Sequence, residues 1–174
     1  MAFNQCYLFP RLSEEVERAR RLGSELNVLA IDLDHFKQVN DQHGHAAGDR
    51  VLQSFADRVR ATVRLSDVLI RRGGDEFLLI MPNLPQRQVH IAAERIRHTM
   101  AQTPLDAGEG LPGLQQTISI GAARWVGQES PRSLETRADT ALYEAKRRGR
   151  DQVVIGGEPA IIRSREVNKP EKSG

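Results

Sequence analysis

The stretch Arg72-Gly73-Gly74-Asp75-Glu76-Phe77 constrains this chain more than any other. It joins the apolar runs Val68-Leu69-Ile70 and Leu78-Leu79-Ile80-Met81. Short apolar runs separated by a few turn residues read as a β-hairpin, so the fold must contain an antiparallel strand pair. Gly73 and Gly74 carry no Cβ, and a bulky ligand can approach the backbone closely there. Asp75 and Glu76 sit at the tip, where repulsion between the carboxylates is relieved if a cation binds. Taken alone, an acidic hairpin turn with no ligand is an equally good reading.

The elements around the hairpin follow from hydrophobic spacing. Leu12, Val16 and Ala19 recur at helical intervals, giving an amphipathic helix over residues 10–22 that Gly23 stops. Val28-Leu29-Ala30-Ile31 is a continuous apolar run ending at Asp32, as in a buried strand. Val51, Leu52, Phe55 and Val59 stripe a second helix starting near Gly48, and Val89, Ala93, Ile96 and Met100 a third after Pro85. Residues 117–122 alternate as a half-buried strand does. Ser130 and Pro131 read as the cap and first position of a helix striped by Leu134, Ala138, Leu142 and Ala145 and ended by Gly149. Residues 152–155 make a last short strand. The order α-β-α-β-β-α-β-α-β implies an α/β sandwich, with helices flanking a mixed five-stranded sheet that holds one obligatory antiparallel hairpin. One domain is expected over residues 1–156, followed by a polar tail over 157–174.

Length and charge narrow the function. A chain of 174 residues suits a single domain with a sizeable core, and its net charge of +2 comes from interleaved acids and bases. That argues against a nucleic-acid surface. The single Cys6 excludes an internal disulfide and a multi-cysteine zinc site. No apolar run reaches bilayer length and no signal peptide is visible, so a soluble, cytoplasmic location is expected.

Three further groups carry chemistry. Asp32 and Asp34 close the first strand, and alternation puts them on one side with Leu33 on the other. If the hairpin pairs beside this strand, Asp32 meets the Gly73–Glu76 turn at one end of the sheet, forming the all-oxygen set that hard cations such as Mg²⁺ prefer. Residues 40–49, Asn40 to Asp49, read as a glycine-containing loop leading into a helix, with amide, carboxylate and imidazole groups. An amide plus a carboxylate matches the donors and acceptors of a guanine edge. His43 and His45, two apart with no third ligand, are a weak metal signal. Lys146 and Arg150, four apart, are expected on one face at a helix end; alone they read as a solvated basic terminus.

Taken together, these segments resemble the GGDEF family of diguanylate cyclases. The matching pieces are Ile31 to Asp41 (Ile-Asp-Leu-Asp-His-Phe-Lys-Gln-Val-Asn-Asp), Gly44 to Asp49, Arg71 to Phe77, Ser119-Ile120-Gly121 and Ala138 to Lys146, in the family's order. The resemblance implies a palm-like nucleotidyl-cyclase fold and the condensation of two GTP into cyclic di-3′,5′-GMP and two pyrophosphates. It implies two Mg²⁺ or Mn²⁺ ions on Asp32, Asp75 and the Leu33 carbonyl, with Asp75 as proton acceptor and Glu76 assisting beside it. Asn40 and Asp49 match the guanine readers, with His45 and Phe36 as neighbours. Lys37, Lys146 and Arg150 match phosphate contacts, and Gly73 and Gly74 form the substrate-facing turn. Each domain would hold one GTP, so catalysis needs a homodimer.

Arg64-Leu65-Ser66-Asp67 is an R-x-x-D whose offset of five residues from Gly73 matches the family's inhibitory site. Arg64 and Asp67 are thus expected to bind the cyclic product. Two departures stand out. Met1 to Gln5 keeps only the tail of the family's opening motif, so the N-terminus reads as truncated or divergent, with an upstream sensor or dimerising domain expected outside this chain. Asp151 also stands where the family commonly has Asn. The alternative reading is a catalytically silent domain that binds GTP or cyclic di-GMP and signals through a partner.

Overall fold

The structure is a computed structural model and describes residues 5–157. The expected polar tail, from residue 158 on, and residues 1–4 of the divergent opening lie outside the described residues. The elements are α1 (Gln5–Leu22), β1 (Leu26–Leu33), α2 (Phe36–Thr62), β2 (Val68–Gly73), β3 (Glu76–Pro82), α3 (Gln86–Gln102), β4 (Ile118–Arg124), α4 (Pro131–Arg147) and β5 (Val153–Ile155). The expected order holds. The sheet runs β2-β3-β1-β4-β5, antiparallel except for the β4–β5 pair.

β1 is central and buried along its whole length because helices cover both sheet faces. Its alternate residues feed two cores. Leu29, Ile31 and Leu33 pack with the buried faces of α2 and α3, where the Phe55 and Phe77 rings meet at 4.7 Å. Leu26, Val28 and Ala30 pack with Leu8, Leu12 and Val16 of α1 and Leu134, Ala138 and Leu142 of α4. α4 lies very close to β4. A Cβ on Gly121 would stand 2.1 Å from the Leu142 nitrogen and 2.2 Å from the Ala138 oxygen, so only glycine permits the approach.

Some boundaries differ from the sequence reading. α1 starts at Gln5 and carries Pro10 internally, ahead of the expected start at residue 10. The expected loop over 40–49 is helical: α2 begins at Phe36 and is interrupted only at Gly44 (φ 82°, ψ 164°). At Gly44 the backbone leaves the helical region, so α2 consists of two helical segments that meet at a kink. Ser130 caps α4 as expected, accepting from the Ser133 N–H, with Pro131 at the first turn.

Candidate active site

Asp32 continues the series Leu26, Val28, Ala30 on the sheet face that α1 and α4 cover. In the antiparallel register it lies opposite Glu76 on β3 and Ser119 on β4. Residues directly opposite share a face, so the Asp32 and Glu76 side chains are neighbours. Asp75 sits beside them in the two-residue turn that follows the Gly73–Glu76 pair. Gly74 holds φ at 53°, a left-handed value that favours glycine.

Lys146 reaches down from α4, and its Nζ lies 2.7 Å from Asp32 Oδ2. Asp32 is 6% exposed. Burial pushes its carboxyl up to about 6; the charges of Asp75 and Glu76 push the same way, while the Lys146 hydrogen bond and charge pull it down. A buried carboxylate crowded by two others and answered by one ammonium favours added positive charge. Among the described residues no three acidic, histidine or cysteine side chains gather into a metal cage. The Asp32 and Asp75 carboxylates are nevertheless hard oxygen donors of the kind that Mg²⁺ takes when substrate and water complete its shell. The donors therefore fit such an ion.

Asp34 shares the side of Asp32, as alternation required, but its carboxylate is fully engaged elsewhere. It accepts from Thr117 Oγ1 at 2.8 Å, Ser119 Oγ at 2.7 Å and the Asp151 N–H at 3.0 Å. Its own carbonyl accepts from the Gln116 carboxamide. Asp34 thus pins the turn after α4 to the sheet.

Arg150 is not on the α4 face. The helix ends at Arg147, and the Arg150 N–H returns to the Ala145 carbonyl at 3.0 Å with Gly149 at φ 115°. This is a Schellman turn, which throws the chain off the helix axis. Arg150 is exposed in that turn at φ 66°, so Lys146 alone stands over Asp32 from the helix.

Arg72 was missed from the sequence. Its guanidinium grips Asp139 of α4 with two hydrogen bonds, one of them 2.9 Å, and lies 3.6 Å from Glu135. The hairpin turn is thereby tied to the helix that carries Lys146. Side-chain pairing across 67 residues leaves no mark in a linear motif.

On the other side of the chain, Asn40 packs against Gly48. A Cβ there would fall 2.0 Å from Asn40 Oδ1 and 3.2 Å from Phe36 Cζ. Phe36, Asn40 and Gly48 therefore adjoin across the Gly44 kink, with Asp49 exposed next to Gly48. His45 and Lys37 are also exposed on this helix.

The R-x-x-D segment lies at the far end of β2 from the acidic turn. Asp67 Oδ2 accepts from the Arg64 N–H at 2.9 Å, and the Asp67 N–H returns to the Arg64 carbonyl at 3.0 Å. Burial raises the Asp67 carboxyl, opposed by the Arg64 contacts and by the charge of Arg95 on α3. Arg95 is a third charged group at this corner that the sequence spacing did not indicate.

The family model described as "Diguanylate cyclase, GGDEF domain" matches residues 2–152. The chain belongs to the GGDEF domain family. It is 40% identical over 152 residues to the response regulator PleD of Caulobacter vibrioides, covering 87% of this chain and 34% of that protein. It is 39% identical to the diguanylate cyclase DgcP of Pseudomonas aeruginosa, covering 87% and 22%. It thus spans 34% and 22% of the length of these two relatives. Among solved structures, the GGDEF domain of DgcB from Caulobacter crescentus in complex with c-di-GMP has a TM-score of 0.84 at 30% identity, covering 90% of each chain. The active GGEEF domain of a diguanylate cyclase from Vibrio cholerae has a TM-score of 0.82 at 30% identity, covering 91% of this chain and all of that one. No helix of the GGDEF domain described here is long and apolar enough to cross a membrane.

Proposed function

We propose that this GGDEF domain is an active diguanylate cyclase that condenses two GTP into cyclic di-3′,5′-GMP and two pyrophosphates. The observation that carries the reading is the meeting of Asp32, Asp75 and Glu76 at one end of the sheet beneath Lys146. Two Mg²⁺ or Mn²⁺ ions held by Asp32, Asp75 and the Leu33 carbonyl would neutralise the triphosphate and acidify the attacking hydroxyl. The chain's own residues do the rest. Asp75, at the turn tip, accepts the 3′-hydroxyl proton, and Glu76 holds the local charge negative. Lys146 moves its ammonium from Asp32 to the triphosphate once Asp32 is otherwise neutralised, joined by Lys37 and by Arg150 from its turn. Asn40 and Asp49 read the guanine edge, with Phe36 and His45 lining it, while Gly73 and Gly74 keep the turn open to the nucleotide.

Each 3′-oxygen bonds to the α-phosphorus of the other GTP and each pyrophosphate leaves, so two domains face each other as a homodimer. Arg64 and Asp67, with Arg95 beside them, hold cyclic di-GMP as inhibitor, separated from the turn by the length of β2. Incubating the protein with GTP and Mg²⁺ at several concentrations, followed by chromatography, should give cyclic di-GMP with a rate that rises faster than linearly in protein. Asp75→Ala should abolish this and leave the fold intact. GTP binding without product by well-folded wild-type protein would instead identify a silent binding module.

A further inference from the structure

Arg72 stands at an irregularity of the hairpin. β2 and β3 pair Arg71 with Phe77 and then Gly73 with Glu76, so β2 advances two residues against one of β3 and Arg72 is the extra residue. A bulge of this kind takes its extra residue out of the ladder and re-aims the side chain. Arg72 continues the series Val68, Ile70 on the sheet face that α1 and α4 cover, and its guanidinium meets α4. The grip there has two prongs: Nη2 donates to Asp139 Oδ2 at 2.9 Å and Nη1 to Asp139 Oδ1, while Nε lies 3.6 Å from Glu135 Oε1. The Arg72 side chain is only 19% exposed and that of Glu135 12%, so the contact is largely shielded from water. Burial alone would push the guanidinium down, yet Asp139, Glu135 and the charge of Glu76 hold it above its ordinary value. Arg72 thus lies between the acidic turn and the helix that bears Lys146, which follows Asp139 by two helical turns on the same face.

We propose that Arg72 is a positioning residue: the bulge and the grip on Asp139 and Glu135 set how far the turn carrying Asp75 and Glu76 stands from Asp32 and Lys146. The catalytic consequence rests on the cyclase reading; the grip itself does not. β2 is the edge strand of the sheet, so the outer side of the turn has no neighbouring strand to hold it. Arg71 Nε donates to the Gly74 carbonyl at 2.9 Å and braces the turn internally, but that bond does not fix the turn against α4. Arg72 supplies the fixed point. A displacement of about 1 Å at a reacting group can cost about 10²-fold in rate, so a loosened turn lowers turnover. Asn40 and Asp49 lie on α2, a different element, and keep their hold on the base when the turn loosens.

The test uses Arg72→Gln, the milder Asp139→Asn and the two combined. In the ¹⁵N-labelled full chain, without nucleotide or metal, each single change should speed amide exchange at Gly73 to Glu76 about fivefold, while the amides of β1 and β4 keep their wild-type rates. The double variant should exchange no faster than either single, because both remove one contact. With GTP and Mg²⁺, each variant should lower kcat about tenfold and leave KM within about twofold. Arg72→Lys keeps the charge without the two-pronged geometry and should recover only part of the rate. Wild-type exchange at the turn in both single variants would overturn the grip. Faster exchange spread evenly over the sheet, or faster exchange at the turn with kcat unchanged, would reduce Arg72 to a stabilising ion pair and overturn the positioning role. Absence of product from the wild type would overturn the cyclase reading and the catalytic part of the proposal with it, while the exchange rates decide the grip separately.

Discussion

Lys146→Met removes the ammonium that answers Asp32 and keeps most of the aliphatic stem. The wild type sets the scale. Its Asp32 carboxyl stands at about 6 in the folded chain against an ordinary 3.8. Because the folded value is the higher, the protonated form favours folding. That contribution is complete below about pH 4 and is lost as the pH rises to about 6. The gap corresponds to at most about 3 kcal/mol, discounted by whatever solvent reaches the carboxylate. Removing Lys146 takes away the first favourable influence on the ionised form and leaves Asp75 and Glu76 unopposed. The carboxyl should therefore rise further, and the loss should continue to higher pH. With Asp32 side-chain exposure at 9% and Lys146 at 31%, the pair is half-buried, and its loss should cost about 1–2 kcal/mol at pH 8. At pH 5 Asp32 is already protonated in both proteins, so the cost should shrink to about 0.5 kcal/mol or less. Urea unfolding followed by the single tryptophan, Trp125, measures both values. Mg²⁺ at pH 8 should restore part of the loss in the variant by supplying the missing charge. Equal destabilisation at pH 5 and pH 8 would refute the argument, because it would mean that Lys146 contributes packing and not charge.

Three further outcomes follow from close contacts. Gly48→Ala should preserve or slightly raise the melting temperature, since alanine suits a helix better, yet lower GTP affinity about tenfold by pushing the Asn40 carboxamide off its seat; calorimetry and thermal denaturation together test this. Gly121→Ala forces α4 away from β4 and should cost about 3 kcal/mol or more in denaturant unfolding. Asp34→Asn leaves one acceptor oxygen for bonds that now use two, and should cost about 1–3 kcal/mol, with faster amide exchange at Asp151.

The sequence by itself determined the order of elements, the hairpin and the Ser130–Pro131 start of α4; it brought Asp32 to the acidic turn only on condition that the hairpin pairs beside β1, which the sheet supplies. These rest on local spacing and on strand alternation, which a chain carries wherever it folds. It misjudged residues 40–49, because glycine and polar residues suit a loop as well as a kinked helix, and only packing of Phe36 and Asn40 against Gly48 selects the latter. It also put Arg150 beside Lys146, since four-residue spacing holds only while the helix lasts, and the turn at Gly149 ends it first. Tertiary structure alone decided that Lys146 neutralises Asp32, that Arg72 ties the turn to α4, and that Asp34 serves the fold. Each of these joins residues distant in the chain, where the energy depends on burial and on which charges share a low-dielectric space, and neither quantity exists until the sheet and helices have closed on one another.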